Sequence, residues 1–153
     1  GAAMSAVTVS FSVPLVAGKA RHRTTRAGHV YTPKATTDAE AAVWAAYEGE
    51  SLRKYGRVVR APAHVPVRVE VTAYDGLPQS RSRSVAFEPF ACKPDVDNIL
   101  KLVLDGLNPR RGLRPGAWAD DAQVTSVAVD KMGRFRGGDR RTEVTIVWEE
   151  PDE

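Results

Sequence analysis

Three segments of the chain alternate apolar and polar residues with a period of two, which is typical of strands that bury one face. They run from Val7 to Val13, from Val67 to Ala73 and from Val144 to Trp148. A fourth and less regular strand is predicted near Val124 to Val129. The pattern therefore predicts a sheet of about four strands.

A first helix is predicted after the basic segment that ends at Lys34. Thr36 or Thr37 can cap it, and Glu40 stands three residues after Thr37, as a capping box requires. Gly49 weakens the helix and predicts that it ends or bends there. A rough apolar face is formed by Val43, Trp44, Tyr47, Leu52 and Tyr55.

A second helix is predicted from Asp97 to Leu107, because apolar residues recur there at intervals of three and four. Its predicted buried face consists of Val96, Ile99, Leu100, Val103, Leu104 and Leu107. Asn108-Pro109 ends it. With an element order of roughly β-α-β-α-β-β, we expect an α+β fold in which two main helices pack on a mixed sheet.

The composition fits one domain, which we place at residues 4–150. The chain has 153 residues, 42% of them hydrophobic, and Gly1-Ala2-Ala3 before Met4 reads as a cloning remnant. One cysteine, Cys92, excludes an intrachain disulfide and favours a reduced, cytoplasmic setting. No apolar run approaches the roughly 18–20 residues of a membrane helix, so no membrane partner is expected.

Charge and acidic residues together indicate a nucleic-acid enzyme. The net charge of +3 and the clustered arginines favour a polyanionic partner. Asp95 and Asp97 open the second helix, Lys101 follows one turn later, and Asp120-Asp121 precede a strand. If the chain returns to the helix start, these carboxylates would form a cluster able to hold one or two Mg²⁺ ions for phosphodiester cleavage.

Each of these features also has an ordinary structural interpretation. An aspartate at a helix entrance is often a cap or a partner of the helix dipole. Asp97 and Lys101 can form a simple i,i+4 ion pair, which contributes a few tenths of a kcal/mol. Asp120 and Asp121 can be solvated turn residues. The pattern alone leaves these alternatives open.

Three stretches of the chain form an ordered set of motifs. They read KPDVDNILK from Lys93 to Lys101, LDGLN from Leu104 to Asn108, and WADDAQV from Trp118 to Val124. Together they resemble the core of the RusA family of Holliday junction resolvases. They match the family's D-x-D-N-x-x-K helix start, its D-A/G-L-N helix end and its D-D-x-Q-V/I segment, in order. The N-terminal strand, the basic turn and the first helix match more loosely.

The resemblance implies a homodimeric, Mg²⁺-dependent endodeoxyribonuclease that resolves four-way DNA junctions by paired nicks, with Mn²⁺ as a possible substitute. Its catalytic residues would be Asp95, Asp97, Lys101 and Asp121. The metal ligands would be Asp95, Asp97 and Asp121, together with Asp120. Asn98 and Gln123 match motif positions and would orient the metal ligands without binding the metal themselves. Resolvases of this type occur in bacteria and are frequent in phages.

The DNA contacts are expected from basic loops. The predicted phosphate contacts are Lys93, Arg21, Arg23, Arg26, Arg110, Arg111 and Arg114, and a further basic turn carries Arg134, Arg136, Arg140 and Arg141. Each group can also be a solvated loop. The loop between Asn108 and Trp118 is longer than is usual in the family, and we expect it to bulge outward so that Asp121 can reach the helix start.

Two other functions compete with junction resolution. A different metal-dependent phosphoesterase, acting on flaps, replication forks or nucleotides, would need the same acids, and substrate preference would distinguish it. A non-catalytic DNA-binding protein would use its aspartates only as caps and ion pairs, and would then tolerate Asp95→Asn and Asp97→Asn.

Overall fold

A five-stranded mixed sheet forms the centre of the molecule, seen in a computed structural model that describes residues 3–19, 23–31 and 33–152. The strand order is β1-β7-β4-β6-β5. The strands are β1 (Met4–Val13), β4 (Val67–Gly76), β5 (Phe87–Glu88), β6 (Val124–Phe135) and β7 (Arg141–Pro151), and a separate hairpin consists of β2 (Arg23–Thr24) and β3 (Val30–Tyr31). The helices are α1 (Lys34–Tyr55) and α2 (Val96–Leu107). The predicted α+β architecture is confirmed.

The middle strand β4 sets the direction of its neighbours. It pairs antiparallel with β7 and parallel with β6, and every other pair in the sheet is antiparallel. Val67, Val69 and Val71 alternate with exposed residues and pack in the core with residues of both helices. The period-two prediction is correct here because one face of β4 is buried and the other meets solvent.

The start of α1 differs from the prediction. Pro33 occupies the N-cap position, and no side chain caps the helix. Glu40 is buried and does not form the predicted capping box with Thr37. The predicted bend at Gly49 is also wrong, because α1 runs unbroken to Tyr55 and ends at Gly56 with a positive φ of 72°. The buried contacts along the helix outweigh the low helix propensity of one glycine.

The position of α2 agrees with the prediction to within one residue. Its buried face carries Ile99, Val103 and Leu107, but Val96 is 45% exposed, because the core begins one turn into the helix. Beyond the helix, the buried Trp118 donates from its Nε1 to the Asn108 Oδ1 at 2.5 Å. This bond holds the returning loop against the end of α2.

Asp75 and Gly76, a pair typical of turns, are the last two residues of β4. Asp75 is buried, with its carboxylate 3.2 Å from Arg134 Nε and 3.1 Å from Arg140 Nη1. The short strand β5 was not predicted, since two residues cannot show a period. Among the described residues, no helix combines the length and apolar character needed to cross a bilayer.

Candidate active site

The two acids at the start of α2 are not used to build the helix. Asp95 is the N-cap residue by position, yet its side chain makes no capping hydrogen bond. Its carboxylate is 47% exposed and lies 2.8 Å from the Nζ of Lys93, itself a surface residue. Asp97 is exposed in the first turn. Both carboxylates are therefore accessible to a ligand.

The ion pair that Asp97 and Lys101 could form is not made. Neither residue takes part in any ion pair or side-chain hydrogen bond between described residues, and both are exposed. Asp105, one turn further on, instead lies 3.0 Å from the Nζ of Lys19. Asp105 is therefore an ion-pair residue of the fold, whereas the i,i+4 interpretation does not hold for Asp97 and Lys101.

The second acidic pair sits in a 3₁₀ turn that precedes β6. Asp120 caps this turn, because its Oδ1 accepts a hydrogen bond from the Ala122 amide at 2.9 Å. Asp121 is the first residue of the turn and is exposed. Both residues are exposed, and Asp120 in addition has a structural role in the fold.

Gln123 fixes the acidic turn to the neighbouring loop. Its buried side chain accepts at Oε1 from the amides of Ala119 and Asp120, at 2.9 and 3.1 Å. Its Nε2 donates to the carbonyls of Pro62 and Val65, at 2.8 and 3.1 Å. Gln123 therefore positions the backbone that carries Asp120 and Asp121.

The two acidic pairs lie at opposite ends of α2. The Ala117 amide donates to the Leu107 carbonyl at 2.8 Å, which places the chain before Asp121 at the end of the helix. The start of the helix is instead near the far half of β6, where the Lys131 Nζ donates to the Cys92 carbonyl at 2.5 Å. With 12 residues, α2 is about 18 Å long.

The expected cluster is therefore not formed within one copy of the chain. Among residues 3–19, 23–31 and 33–152, no three Asp, Glu, His or Cys side chains lie close enough to hold a metal ion together. The loop after α2 does not bulge to carry Asp121 back. It closes on itself through a bridge between Arg110 and Arg114 and leads directly into β6. One copy presents two separate, accessible acidic groups, Asp95 with Asp97 and Asp120 with Asp121.

A buried charge cluster beside α2 was missed by the sequence analysis. The Glu40 side chain is only 4% exposed, and its Oε1 lies 2.5 Å from the Lys19 Nζ. Burial by itself would lower the pKa of Lys19, but the hydrogen bonds and charges of Glu40 and Asp105 outweigh it and raise that pKa. The Lys19 amide also donates to the carbonyl of Asn98, at 3.1 Å.

This cluster ties the chain after β1 to the motif helix. A Cβ on Gly18 would lie 3.0 Å from the Cβ atoms of both Asn98 and Pro94, so the segment runs directly against the start of α2. Asn98 was predicted to orient ligands, and the described contact is made by its backbone. No local pattern marks Lys19 or Glu40, because their pairing joins residues of different elements.

The family model described as endodeoxyribonuclease RusA matches residues 14–147. The chain belongs to the RusA endodeoxyribonuclease family. The match runs from the end of β1 into β7, so it includes both acidic groups and the loop between them. The resemblance seen in the three motif stretches is thereby confirmed, and the chain is a nuclease of a DNA-cleaving family. No curated protein matches the chain.

For a RusA-family nuclease the substrate is a polyanion, so the exposure of the basic residues matters. Arg26, Lys93, Arg110 and Arg111 are exposed and can meet phosphate. Arg21 lies outside the described residues, and only the backbone of Arg23, in β2, is described. The role of these residues as DNA contacts stays a prediction.

Arg114 does not fit the prediction of an exposed DNA contact. Its side chain is 5% exposed, and it donates to the carbonyls of Asn108 and Asp105, at 3.1 and 2.9 Å. It also lies 3.6 Å from Glu40. The last carbonyl groups of a helix have no hydrogen-bond donor within the helix, and Arg114 supplies donors to them at the end of α2.

The arginines at the end of β6 and in the turn after it likewise make contacts that stabilise the fold. Arg134 pairs with Asp75 and Glu88, and Arg140 pairs with Asp75 and donates to the Val16 carbonyl. Arg136 donates to carbonyls of the segment before β5. These arginines hold the sheet edge and the preceding loop together.

Proposed function

We propose that this RusA-family protein is a metal-dependent nuclease that cuts four-way DNA junctions by paired, symmetric nicks. One observation supports this most directly. The fold leaves Asp95, Asp97 and Asp121 accessible, and the ion-pair partner of Asp95 is Lys93, itself an exposed residue. Accessible carboxylates beside a polyanionic substrate are unfavourable unless a cation joins them.

Basic residues of the chain would neutralise charge at the cleaved phosphate and bind the DNA backbone. Lys101 is exposed one helical turn after Asp97, where its ammonium can neutralise charge that develops on the cleaved phosphate. Lys93 adjoins Asp95 and can contact the same strand. Arg26, Arg110 and Arg111 would bind phosphates of the junction arms without reading sequence.

We propose Mg²⁺ as the cofactor, with Mn²⁺ as a substitute, because hard cations prefer carboxylate oxygens. When bound, the ion would stabilise charge on the phosphate and generate a nucleophilic water. The acids of one copy do not fit a complete site, since Asp121 stands at the other end of α2 from Asp95 and Asp97. A homodimer would therefore be needed to unite them, and would also supply the two sites that paired nicks require.

The proposal is tested by cleavage of a labelled four-way junction beside a linear duplex and a flap of equal length, with Mg²⁺, with Mn²⁺ and with a chelator. We expect symmetric, metal-dependent nicks in the junction alone. Asp97→Asn should abolish the nicks and keep junction binding, because removal of a negative charge does not weaken a complex with a polyanion. Asp38→Asn, at an exposed acid on α1, is the matched control and should cut normally.

Three results would overturn parts of this account. Equal cutting of the flap would favour a general branched-DNA nuclease. Tight binding without cleavage in either metal would favour a non-catalytic DNA-binding protein. Normal cleavage by Asp97→Asn would show that the Asp97 carboxylate is not needed for catalysis.

A further inference from the structure

Three aromatic side chains form a patch on the face of the sheet that lies away from the helices. They belong to Tyr74 in β4, Phe135 at the end of β6 and Phe87 in β5. The ring centroids of Phe87 and Phe135 are 5.1 Å apart, and those of Tyr74 and Phe135 are 6.4 Å apart. Tyr74 stands between the buried Ala73 and Asp75, so strand alternation places its ring on the opposite face. These three rings are the aromatic patch.

The aromatic patch leaves a large apolar area in contact with solvent. Phe87 is 49% exposed and Phe135 is 38% exposed. Phe87 lies directly on the backbone of Gly133, where a Cβ would stand 2.2 Å from the Phe87 Cε2. A side chain on residue 133 would therefore displace the ring from this position.

Further along, the same face of the sheet is polar. On β4 it carries Arg68 and Glu70, which form an ion pair at 3.0 Å. On β1 and β7 it carries Ser10 and Thr145, whose hydroxyl oxygens are 2.9 Å apart. Polar side chains such as these are stable in water, whereas a cluster of exposed aromatic rings rimmed by polar residues marks a surface for a ligand.

The segments that form the aromatic patch carry the net positive charge of the protein. Residues 74–91 and 131–143 contain seven lysines and arginines and four aspartates and glutamates. This excess of three equals the formal net charge of +3 for the whole chain, so the rest of the chain is balanced. The Arg141 guanidinium lies 4.1 Å from the centre of the Tyr74 ring, and Arg83 and Arg136 are exposed on the adjoining loops. The charge around the patch therefore favours a polyanion.

Aromatic rings beside cations are the arrangement with which proteins bind unpaired nucleic acid, because bases stack on the rings and basic side chains contact the phosphates. We propose that the aromatic patch stacks on an unpaired base of a branched DNA substrate, and that Arg83, Arg136 and Arg141 contact the phosphates beside that base. This inference rests on the proposed function, which supplies the branched DNA. A linear duplex offers no free base, so the patch favours branched over linear DNA.

The aromatic patch is near enough to the acids of α2 to contact the same DNA molecule. Phe87 and Asp95 are eight positions apart, and a fully extended chain of that length spans at most about 29 Å. The segment between them is tied to β6, because the Lys131 Nζ donates to the Cys92 carbonyl and lies 4.5 Å from the centre of the Phe90 ring. At 3.4 Å per base pair, about 29 Å is less than one turn of duplex. One substrate can therefore reach both the patch and the acids.

Binding to two forms of a four-way junction tests the stacking site. One junction is fully paired and the other has two unpaired thymines at the branch point, and a chelator prevents cleavage. Phe87→Leu keeps an apolar side chain on Gly133 but removes the ring, so it should weaken binding of the junction with unpaired thymines at least about fivefold and leave duplex binding unchanged. Phe135→Leu should give the same loss.

Two control variants define what the loss means. Phe87→Tyr keeps an aromatic ring and should bind both junctions as the unsubstituted protein does. Leu52→Ala removes an exposed apolar side chain from α1 and should change neither affinity. Full affinity of both leucine variants for the junction with unpaired thymines would overturn the stacking site. A changed sedimentation coefficient in Phe87→Leu with an unchanged DNA preference would also overturn it, because the patch would then bind another copy of the chain.

The salt dependence of binding separates stacking from charge. Phe87→Leu removes no charge, so the slope of log affinity against log salt should stay as it is in the unsubstituted protein. Arg83→Ala should lower that slope by about 1, because one phosphate contact is lost. An unchanged slope in Arg83→Ala would contradict the assignment of the adjoining phosphates.

Photocross-linking gives a measurement that needs no variant. A junction that carries 5-iodouracil in place of an unpaired thymine should cross-link to a peptide that contains Phe87 or Phe135. Cross-links confined to peptides of α1 would contradict the stacking site.

These results separate the stacking site from the proposed function, since binding is measured without metal. A preference for unpaired thymines that Phe87→Leu removes, in a protein that never cuts DNA, would keep the stacking site and contradict the nuclease assignment. Symmetric, metal-dependent junction cleavage by a protein whose leucine variants bind normally would keep the nuclease and contradict the stacking site.

Discussion

Asp120 and Asp121 are neighbours in the chain, yet their carboxylates have different surroundings. Both are exposed, but Asp120 also accepts a hydrogen bond from the turn that it caps. The sequence could mark both as candidates because the D-D-x-Q pattern is specific. It could not separate cap from ligand, since aspartate suits both tasks.

The role of Gln123 is measurable as stability. Gln123→Ala removes four hydrogen bonds and leaves buried amide and carbonyl groups without partners, so the free energy of unfolding should fall by about 2–3 kcal/mol. Urea denaturation measures this loss. The matched control is Gln79→Ala, at an exposed glutamine, which should change stability by less than about 0.5 kcal/mol. Equal stabilities of the two variants would contradict the anchoring role.

Among the elements, α1 and α2 meet at a close crossing that depends on Gly106. A Cβ there would lie 2.9 Å from the Val43 Cβ and 3.0 Å from the Glu40 carbonyl oxygen. The periodicity of α2 predicted its length and most of its buried face. It could not predict this crossing, because the partner surface is set by a residue of another helix.

Two glycine variants test the crossing. Gly49→Ala places a Cβ in open space on α1 and should stabilise the protein by about 0.8–1 kcal/mol through helix propensity. Gly106→Ala gains the same propensity but forces the helices apart, so it should lower stability by about 1 kcal/mol on balance. Thermal unfolding of both variants decides the sign. A stabilising Gly106→Ala would show that the helices do not cross this closely.

The charge cluster joins both helices to the segment after β1 and to the loop after α2, and its removal should be costly. Glu40→Ala leaves Lys19 and Arg114 without their buried carboxylate, so we expect a loss of about 3 kcal/mol. Because the folded pKa of Lys19 is raised, its contribution is complete at pH 7 and is lost only as the pH rises past the lysine range. Glu48→Ala, exposed on the same helix, should be nearly neutral. Similar denaturation curves at pH 7 would argue against the cluster.

For the whole molecule, the decisive feature is where β6 joins the sheet. Strands β1, β4 and β7 could be predicted from their local alternation. The parallel pairing of β6 with β4 could not, because it joins residues that are distant in the chain. That pairing places Asp121 at the far end of α2 from Asp95 and Asp97. The motif pattern therefore identified the acids from the sequence, but it could not predict that they lie apart.

The electrostatic attraction between the protein and DNA is also a property of the whole molecule. Removing the exposed pair with Arg110→Ala and Arg111→Ala should weaken junction binding and lower the slope of log affinity against log salt by about 2, roughly one for each lost phosphate contact. Arg68→Ala is the control, because Arg68 is an exposed arginine on β4 and lies outside the loop between Asn108 and Trp118. A salt slope unchanged by the double substitution would show that this loop does not touch phosphate.

The most direct measurement mixes two inactive variants. Asp97→Asn and Asp121→Asn should each fail to nick a four-way junction in Mg²⁺. If each site combines Asp97 of one copy with Asp121 of the other, a mixed dimer keeps one intact site, and the mixture should recover single nicks at up to about half of the mixed-dimer fraction of sites. A mixture that stays as inactive as its components, although mixed dimers form, would contradict a site shared between two copies.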